Sequence, residues 1–311
     1  MVEFLKEVPT IRFMALRRWW YALSALVVVA SIALVAIRGL NYTVDFTGGL
    51  VFELGFTSPV DLEEVRNALG AGGIEDAQVR TYGAATEIEV RLPPAKSGAA
   101  TGEAQRVVDA LKVVDPSVEL NRTESVGPQV SEQLAGKAAN ALLFTLLLVL
   151  IYIAFRFRWR FGVGSLVASL HDPIVAVGAI ALLGIPFDLN VVAALLTILG
   201  YSVNDTVVIF DRIRERFRSM RKAEPAEVID RAINETLART IIVSGCALSS
   251  VIFLAVLGGE TLRGFAVALS IGIVIGTYSS IYVAGAIALD LGASARDFMP
   301  PEKRGDVDDL P

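Results

Sequence analysis

Six stretches of this chain are apolar for longer than a globular core requires: residues 19–38 and approximately 138–155, 163–183, 189–210, 240–258 and 264–290. About 20 such residues in a helix cross the hydrocarbon of a bilayer. Inside lipid every backbone N–H and C=O must be bonded within the protein, which restricts such segments to helices or closed barrels. Blocks of this length predict a polytopic α-helical membrane protein with six transmembrane helices. Composition agrees: of 311 residues 54% are hydrophobic and only 20% charged. The mean hydropathy is +0.57.

Charge sets the orientation. Residues 1–18 carry Lys6, Arg12, Arg17 and Arg18 and read as a cytoplasmic lead-in, followed by an aromatic belt at Trp19, Trp20 and Tyr21. The apolar run behind it is too long for a signal-peptide core and reads as a retained first helix. Arg156, Arg158 and Arg160 follow the second helix, and arginines from Arg212 to Arg221 follow the fourth. The break at residues 184–188 has no Lys or Arg. Both termini then lie on the cytoplasmic side, with helices two to six over residues 136–295, a cytoplasmic loop at about 211–239 and a cytoplasmic tail at 296–311.

Residues 39–135 differ in character, with 7 Lys/Arg against 15 Asp/Glu and no spanning block. They read as a domain outside the membrane between helices one and two. Val44–Phe56 predicts a strand interrupted by Thr47-Gly48-Gly49. Ser58-Pro59-Val60-Asp61 predicts a helix start running to Leu69. Alternation predicts strands at Ala77–Tyr82 and Glu87–Leu92, then a helix from Thr101 to about Val114 and a last strand at Ser117–Glu124. The order βαββαβ is that of an α+β ferredoxin-like unit.

Several polar residues fall where lipid penalises them. Asp205 lies 16 residues into the fourth helix, and a carboxylate at that depth costs about 2.5–3.5 kcal/mol on insertion scales. It is the first candidate for reversible protonation, with Arg239, which opens the fifth helix, as its cation. Ser202 and Thr206 flank it with Asn204 in a polar strip on the fourth helix, a pattern suited to helix–helix packing. Asp211, about 240° round the helix from Asp205, reads as an interfacial charge and stands with Asp205, Arg239 and Asp172 among the proton-coupling candidates. In the third helix His171-Asp172-Pro173 offers either a second relay carboxylate or a packing device. Gly48, Gly49, Gly127 and Pro128 sit at the two domain connections and read as hinges or as plain turns.

Other function classes are poorly served. The single histidine, His171, rules out multi-histidine metal sites, and no zinc or iron–sulfur spacing occurs, so no metal and no resident cofactor are expected. The single cysteine, Cys246, reads as a small buried hydrophobe. Neither H-E-x-x-H nor G-x-S-x-G is present, and no basic–aromatic stripe suggests nucleic acid. Asp172 and Asp205 on neighbouring helices leave an intramembrane aspartyl protease as a weaker reading, and a small-molecule exporter half as another. No catalytic residue is assigned.

The sequence resembles the SecF family of the bacterial Sec protein-translocation machinery, within the resistance–nodulation–division superfamily. The resemblance rests on Val44-Asp45-Phe46-Thr47-Gly48-Gly49, Val126-Gly127-Pro128 and His171-Asp172. Most specific is Gly200-Tyr201-Ser202-Val203-Asn204-Asp205-Thr206-Val207-Val208-Ile209-Phe210-Asp211-Arg212-Ile213-Arg214-Glu215, completed by Thr236-Leu237-Ala238-Arg239-Thr240. It implies a non-enzymatic subunit of the bacterial cytoplasmic (inner) membrane. It would pair with SecD, stand beside the SecYEG channel after the SecA-driven stage, and draw unfolded preproteins outward with the proton motive force. In that family the residues matching Asp205 and Arg239 take part in proton passage. Some relatives use Na+, and no residue here decides between the ions.

Overall fold

The computed structural model describes residues 8–74, 76–94 and 100–298. Among these residues, six helices are long and apolar enough to cross a membrane. They are α1 (Arg17–Arg38), α5 (Pro128–Arg156), α6 (Trp159–Leu183), α7 (Leu189–Ser219), α8 (Pro225–Leu257) and a sixth, composite one. The sixth is α9 (Gly259–Ser279), carried through a π-turn at Ser280–Ala284 into α10 (Gly285–Asp290). Burial divides them into two shells. In α6, α7 and the composite helix 50–56% of the most apolar window is buried, against 11% in α1, α5 and α8.

Small residues make the inner shell close-packed, as is usual where lipid offers no hydrophobic drive between helices. A Cβ on Gly272 would stand 2.1 Å from Ile198 of α7, and one on Gly164 2.4 Å from the Ala284 carbonyl. On Gly178 a Cβ would stand 2.3 Å from Ser31, which seats α1 on α6. α6 runs through Pro173 without a break.

Outside the helical body lies a four-stranded antiparallel sheet of β2 (Gly49–Gly55), β3 (Gln78–Tyr82), β4 (Ala84–Leu92) and β5 (Glu119–Val126) in the order β3-β4-β2-β5. Helices α3 (Leu62–Ala71) and α4 (Ala100–Leu111) cover one face. Period-two alternation sends Phe52, Leu54, Ile88 and Val90 into that core against Val65, Leu69 and Val107. The opposite face is polar, and includes Glu89 bonded to both Arg80 and Arg91. It looks onto a cavity of about 860 Å³ whose floor is the outer ends of the membrane helices.

Several expectations are corrected. Val44–Thr47 is a helical turn, α2, not the start of a strand; Gly48 (φ +68°) and Gly49 (φ +125°) then turn the chain into β2. α3 begins at Leu62, not Ser58. Pro59 disfavours helical backbone at the residue before it, and the Asp61 carboxylate caps the Glu63 N–H at 3.0 Å. The expected loop at 211–239 is mostly helix, because α7 continues to Ser219 and α8 starts at Pro225, leaving a link of residues 220–224. α5 starts at Pro128, so residues 128–135 belong to that helix. Cys246 is exposed on the outward side of α8, not buried. Residues 1–7 of the lead-in and 299–311 of the tail lie outside the described residues.

One pairing had no local signal. A two-residue strand β1 (Asn41–Tyr42) runs parallel to β6 (Pro186–Phe187), which precedes α7.

Candidate functional site: polar side chains within the helical body

Asp205 is 3% exposed, at the junction of α7 with α8 and α9. Its partner is the Ser244 hydroxyl of α8, which donates to Oδ2 at 3.5 Å, a long and therefore weak contact. Ser244 is a hub: it accepts from Tyr201 at 3.1 Å and from Thr277 of α9 at 2.8 Å. Arg239 lies on the exposed side of α8. Among the described residues it forms no ion pair within 4.0 Å.

Asp172 is treated differently. It is fully buried on α6 and accepts from three donors: His171 Nδ1 at 2.9 Å, Ser279 Oγ at 2.9 Å, and Ser202 Oγ of α7. Ser279 and its neighbour Ser280, where the π-turn begins, are both fully buried. Ser280 meets Thr206 of α7 at 2.9 Å. Single π-turns inside helices are frequent at functional positions. Asp172 is thus held by donors from three helices, whereas Asp205 has one weak partner among the described residues.

Ser202, Asp205 and Thr206 therefore face protein as a strip, but Asn204 does not. It is exposed on the outer side of α7, since one residue is a 100° turn of the helix. Asp211 stands apart from all of these, paired with Arg156 of α5 at 2.6 Å. Gly48 and Gly49 are tightly enclosed: a Cβ on Gly49 would be 2.3 Å from the Leu92 carbonyl, while one on Gly127 would meet nothing within 4 Å. Asp172 and Asp205 share no hydrogen-bond partner among the described residues, so a proton-sharing carboxylate dyad is not formed. Among the described residues no cluster of three or more His, Cys, Asp or Glu could hold a metal.

Sequence reading missed three features. Ser244 and the pair Ser279-Ser280 carry no local signal that separates them from small packing residues. Glu235, near the inner end of α8, gathers Arg212, Arg216 and Arg231; a carboxylate among so many arginines was visible as composition, not as a hub.

Buried carboxylates and hydroxyls at the crossing of membrane-length helices, under a separate α+β domain, define a multi-pass membrane transport component. The model of "Protein export membrane protein SecD/SecF, C-terminal" matches residues 106–294, and that of the "SecD/SecF GG Motif" matches residues 33–60. The chain is 45% identical to the protein translocase subunit SecF of Vibrio alginolyticus over 100% of both chains. It is 38% identical to that of Pseudomonas aeruginosa, covering 98% of this chain and 99% of the relative. The crystal structure of SecDF from Thermus thermophilus matches with a TM-score of 0.82 at 38% identity, over 91% of this chain and 39% of that longer one. A crystal structure of SecDF in a super-membrane-facing form matches with a TM-score of 0.68 at 37% identity, over 91% of this chain and 39% of that one. The chain belongs to the SecD/SecF family, and its role is that of a translocase subunit in Sec protein export. The exporter and protease readings are not favoured.

Proposed function

We propose that this chain uses ion movement past Asp205, assisted by Arg239, to drive the late stage of preprotein translocation. The observation that carries this is Asp205 itself, buried at membrane depth with one long hydrogen bond. A carboxylate so placed is expensive to keep without a role. Asp172 holds the α6–α7–α9 contact in register, and Asp211 ties α7 to α5; neither carries the ion. The ion is H+ in this reading, and Na+ is the alternative.

The other half of the transporter is SecD. Six helices are half of a parallel-repeat transporter, and the matched Thermus protein joins SecD and SecF in one chain of which this chain spans 39%. The Sec reading adds the SecYEG channel, SecA as an indirect partner, and unfolded preproteins at the outer face, with lipid around the outer shell. The site is the bacterial cytoplasmic membrane, both termini inside, as the arginines near the ends of α5 and α7 favour. The strand order β3-β4-β2-β5 with both helices on one face supports a ferredoxin-like fold for the outside domain.

The test is pulse-chase export of a secretory protein in cells whose only copy carries Asp205→Asn, with and without an uncoupler. Slowed export to which the uncoupler adds little supports the reading. Normal, uncoupler-sensitive export sinks it. Repeating the assay in Na+-free medium separates the two ions.

A further inference from the structure

The helix that carries Asp205 is held at its outer end by a carboxylate from the other side of the first membrane helix. The first N–H groups of a helix have no partner within it. On α7 two of them are taken by carboxylates: Asp188 accepts from Val191 at 2.7 Å, and Asp45 of α2 accepts from Leu189 at 3.1 Å. Around this contact segment 41–49 grips the same end of α7. β1 pairs with β6 in parallel, and the Thr43 N–H extends that ladder to the Phe187 carbonyl at 3.1 Å. The rings of Tyr42, Phe46 and Phe187 pack with centroids 5.6–5.9 Å apart.

Beyond Asp45 the chain has no slack. Gly48 and Gly49 lead directly into β2, which lies in the middle of the sheet between β4 and β5. A Cβ on Gly48 would be 3.2 Å from Ser131 of α5 and one on Gly49 2.3 Å from the Leu92 carbonyl of β4. The second connection, between β5 and α5, is the single residue Gly127, and nothing lies within 4 Å of a Cβ placed there. The outside domain thus has one connection, at Gly48-Gly49, enclosed by its neighbours and one, at Gly127, with open space around it.

We infer that Asp45 is a positioning residue that fastens the outer end of α7 to strand β2, so that displacement of the Asp205 helix is carried straight into the sheet. The inference rests on ion coupling at Asp205. It makes segment 41–49 a closed clasp that moves with α7 as one body, and it moves the flexing point from Gly48-Gly49 to Gly127. A carboxylate, or an amide offering the same acceptor oxygen, can serve as the clasp; a methyl group cannot.

Pulse-chase export with an uncoupler, in cells carrying Asp45→Ala, Asp45→Asn or Asp205→Asn as the only copy, tests this. Asp45→Ala is expected to accumulate normally yet export as slowly as Asp205→Asn, with uncoupler sensitivity lost, while Asp45→Asn restores most of both. Uncoupler-sensitive export at the wild-type rate with Asp45→Ala, alongside a defective Asp205→Asn, overturns the clasp and leaves the ion reading intact. Normal export with Asp205→Asn overturns the ion reading itself. A second measurement does not depend on how Asp45→Ala folds: Asn41→Cys with Pro186→Cys, in a Cys246→Ser background, joins β1 to β6 on oxidation. Export at the reduced-state rate after cross-linking is expected; arrest by the cross-link shows that the clasp must open and refutes the inference.

Discussion

The Ser202 hydroxyl of α7 donates to the Asp172 carboxylate of α6, three residues before Asp205 turns away to Ser244 of α8. One helix therefore serves two carboxylates on different faces, the first firmly bonded and the second weakly. Replacing Ser202 by Ala removes one of three donors from a fully buried carboxylate. A loss of about 1–3 kcal/mol is expected for a buried acceptor deprived of its partner. Thermal denaturation in detergent should show a lowered midpoint, with Ser202→Thr close to wild type; an unchanged Ser202→Ala midpoint would show that the contact contributes nothing.

Gly272 admits Ile198 between α9 and α7, and an added methyl would stand only 2.1 Å from the Ile198 side chain. Gly272→Ala should destabilise the helical body by about 1–3 kcal/mol, the usual result of overpacking. Combining it with Ile198→Ala should recover part of the loss, and a double-mutant cycle in detergent measures the coupling. Strict additivity would mean the helices simply move apart.

The two domain connections should respond unequally to a methyl group. Gly49→Ala meets both a positive φ of +125° and the Leu92 carbonyl, a combination expected to cost at least about 1–3 kcal/mol. Gly127→Ala, in open space with φ −68°, should stay within about 0.5 kcal/mol of wild type. Limited proteolysis of the outside domain in purified protein distinguishes them; equal susceptibility would contradict the enclosure of Gly49.

In the outside domain Asp115 accepts from the N–H and hydroxyl groups of both Thr57 and Ser117. These donors, the Ser117 hydroxyl first, hold its carboxyl well below the usual carboxylate range. A depressed carboxyl adds stability that is fully present above its unfolded value, near 4, and is lost as pH falls from there towards the folded value. The domain's protease resistance should fall on acidification through that range, and Asp115→Asn should flatten the acid limb. The same limb in wild type and variant would exclude this contact as its source.

How much of the fold and the site is legible in the sequence depends on the range of each interaction. Apolar blocks and strand alternation are local properties, and they marked the six spans and the outside strands, although α5, α7 and α8 run well beyond their apolar blocks. Errors arose where two local signals competed. Ser58 before Pro59 resembled a helix start although Asp61 is the cap, and Val44–Thr47 had β-branched ends around a segment that forms a helical turn. Asn204 was placed with the inward strip because it neighbours Asp205, although a neighbour along a helix faces elsewhere.

The sequence by itself determined that this chain must span a membrane as helices, because backbone polar groups in lipid admit little else. It also marked Asp205, because a carboxylate so deep is costly wherever its neighbours lie. Only the tertiary structure decided who those neighbours are. Ser202 and Asp172 are 30 residues apart, Ser279 and Asp172 107, and Leu189 and Asp45 144. Such contacts depend on the rotation and crossing of whole helices, set by where glycine lets two backbones approach, and no local pattern encodes them.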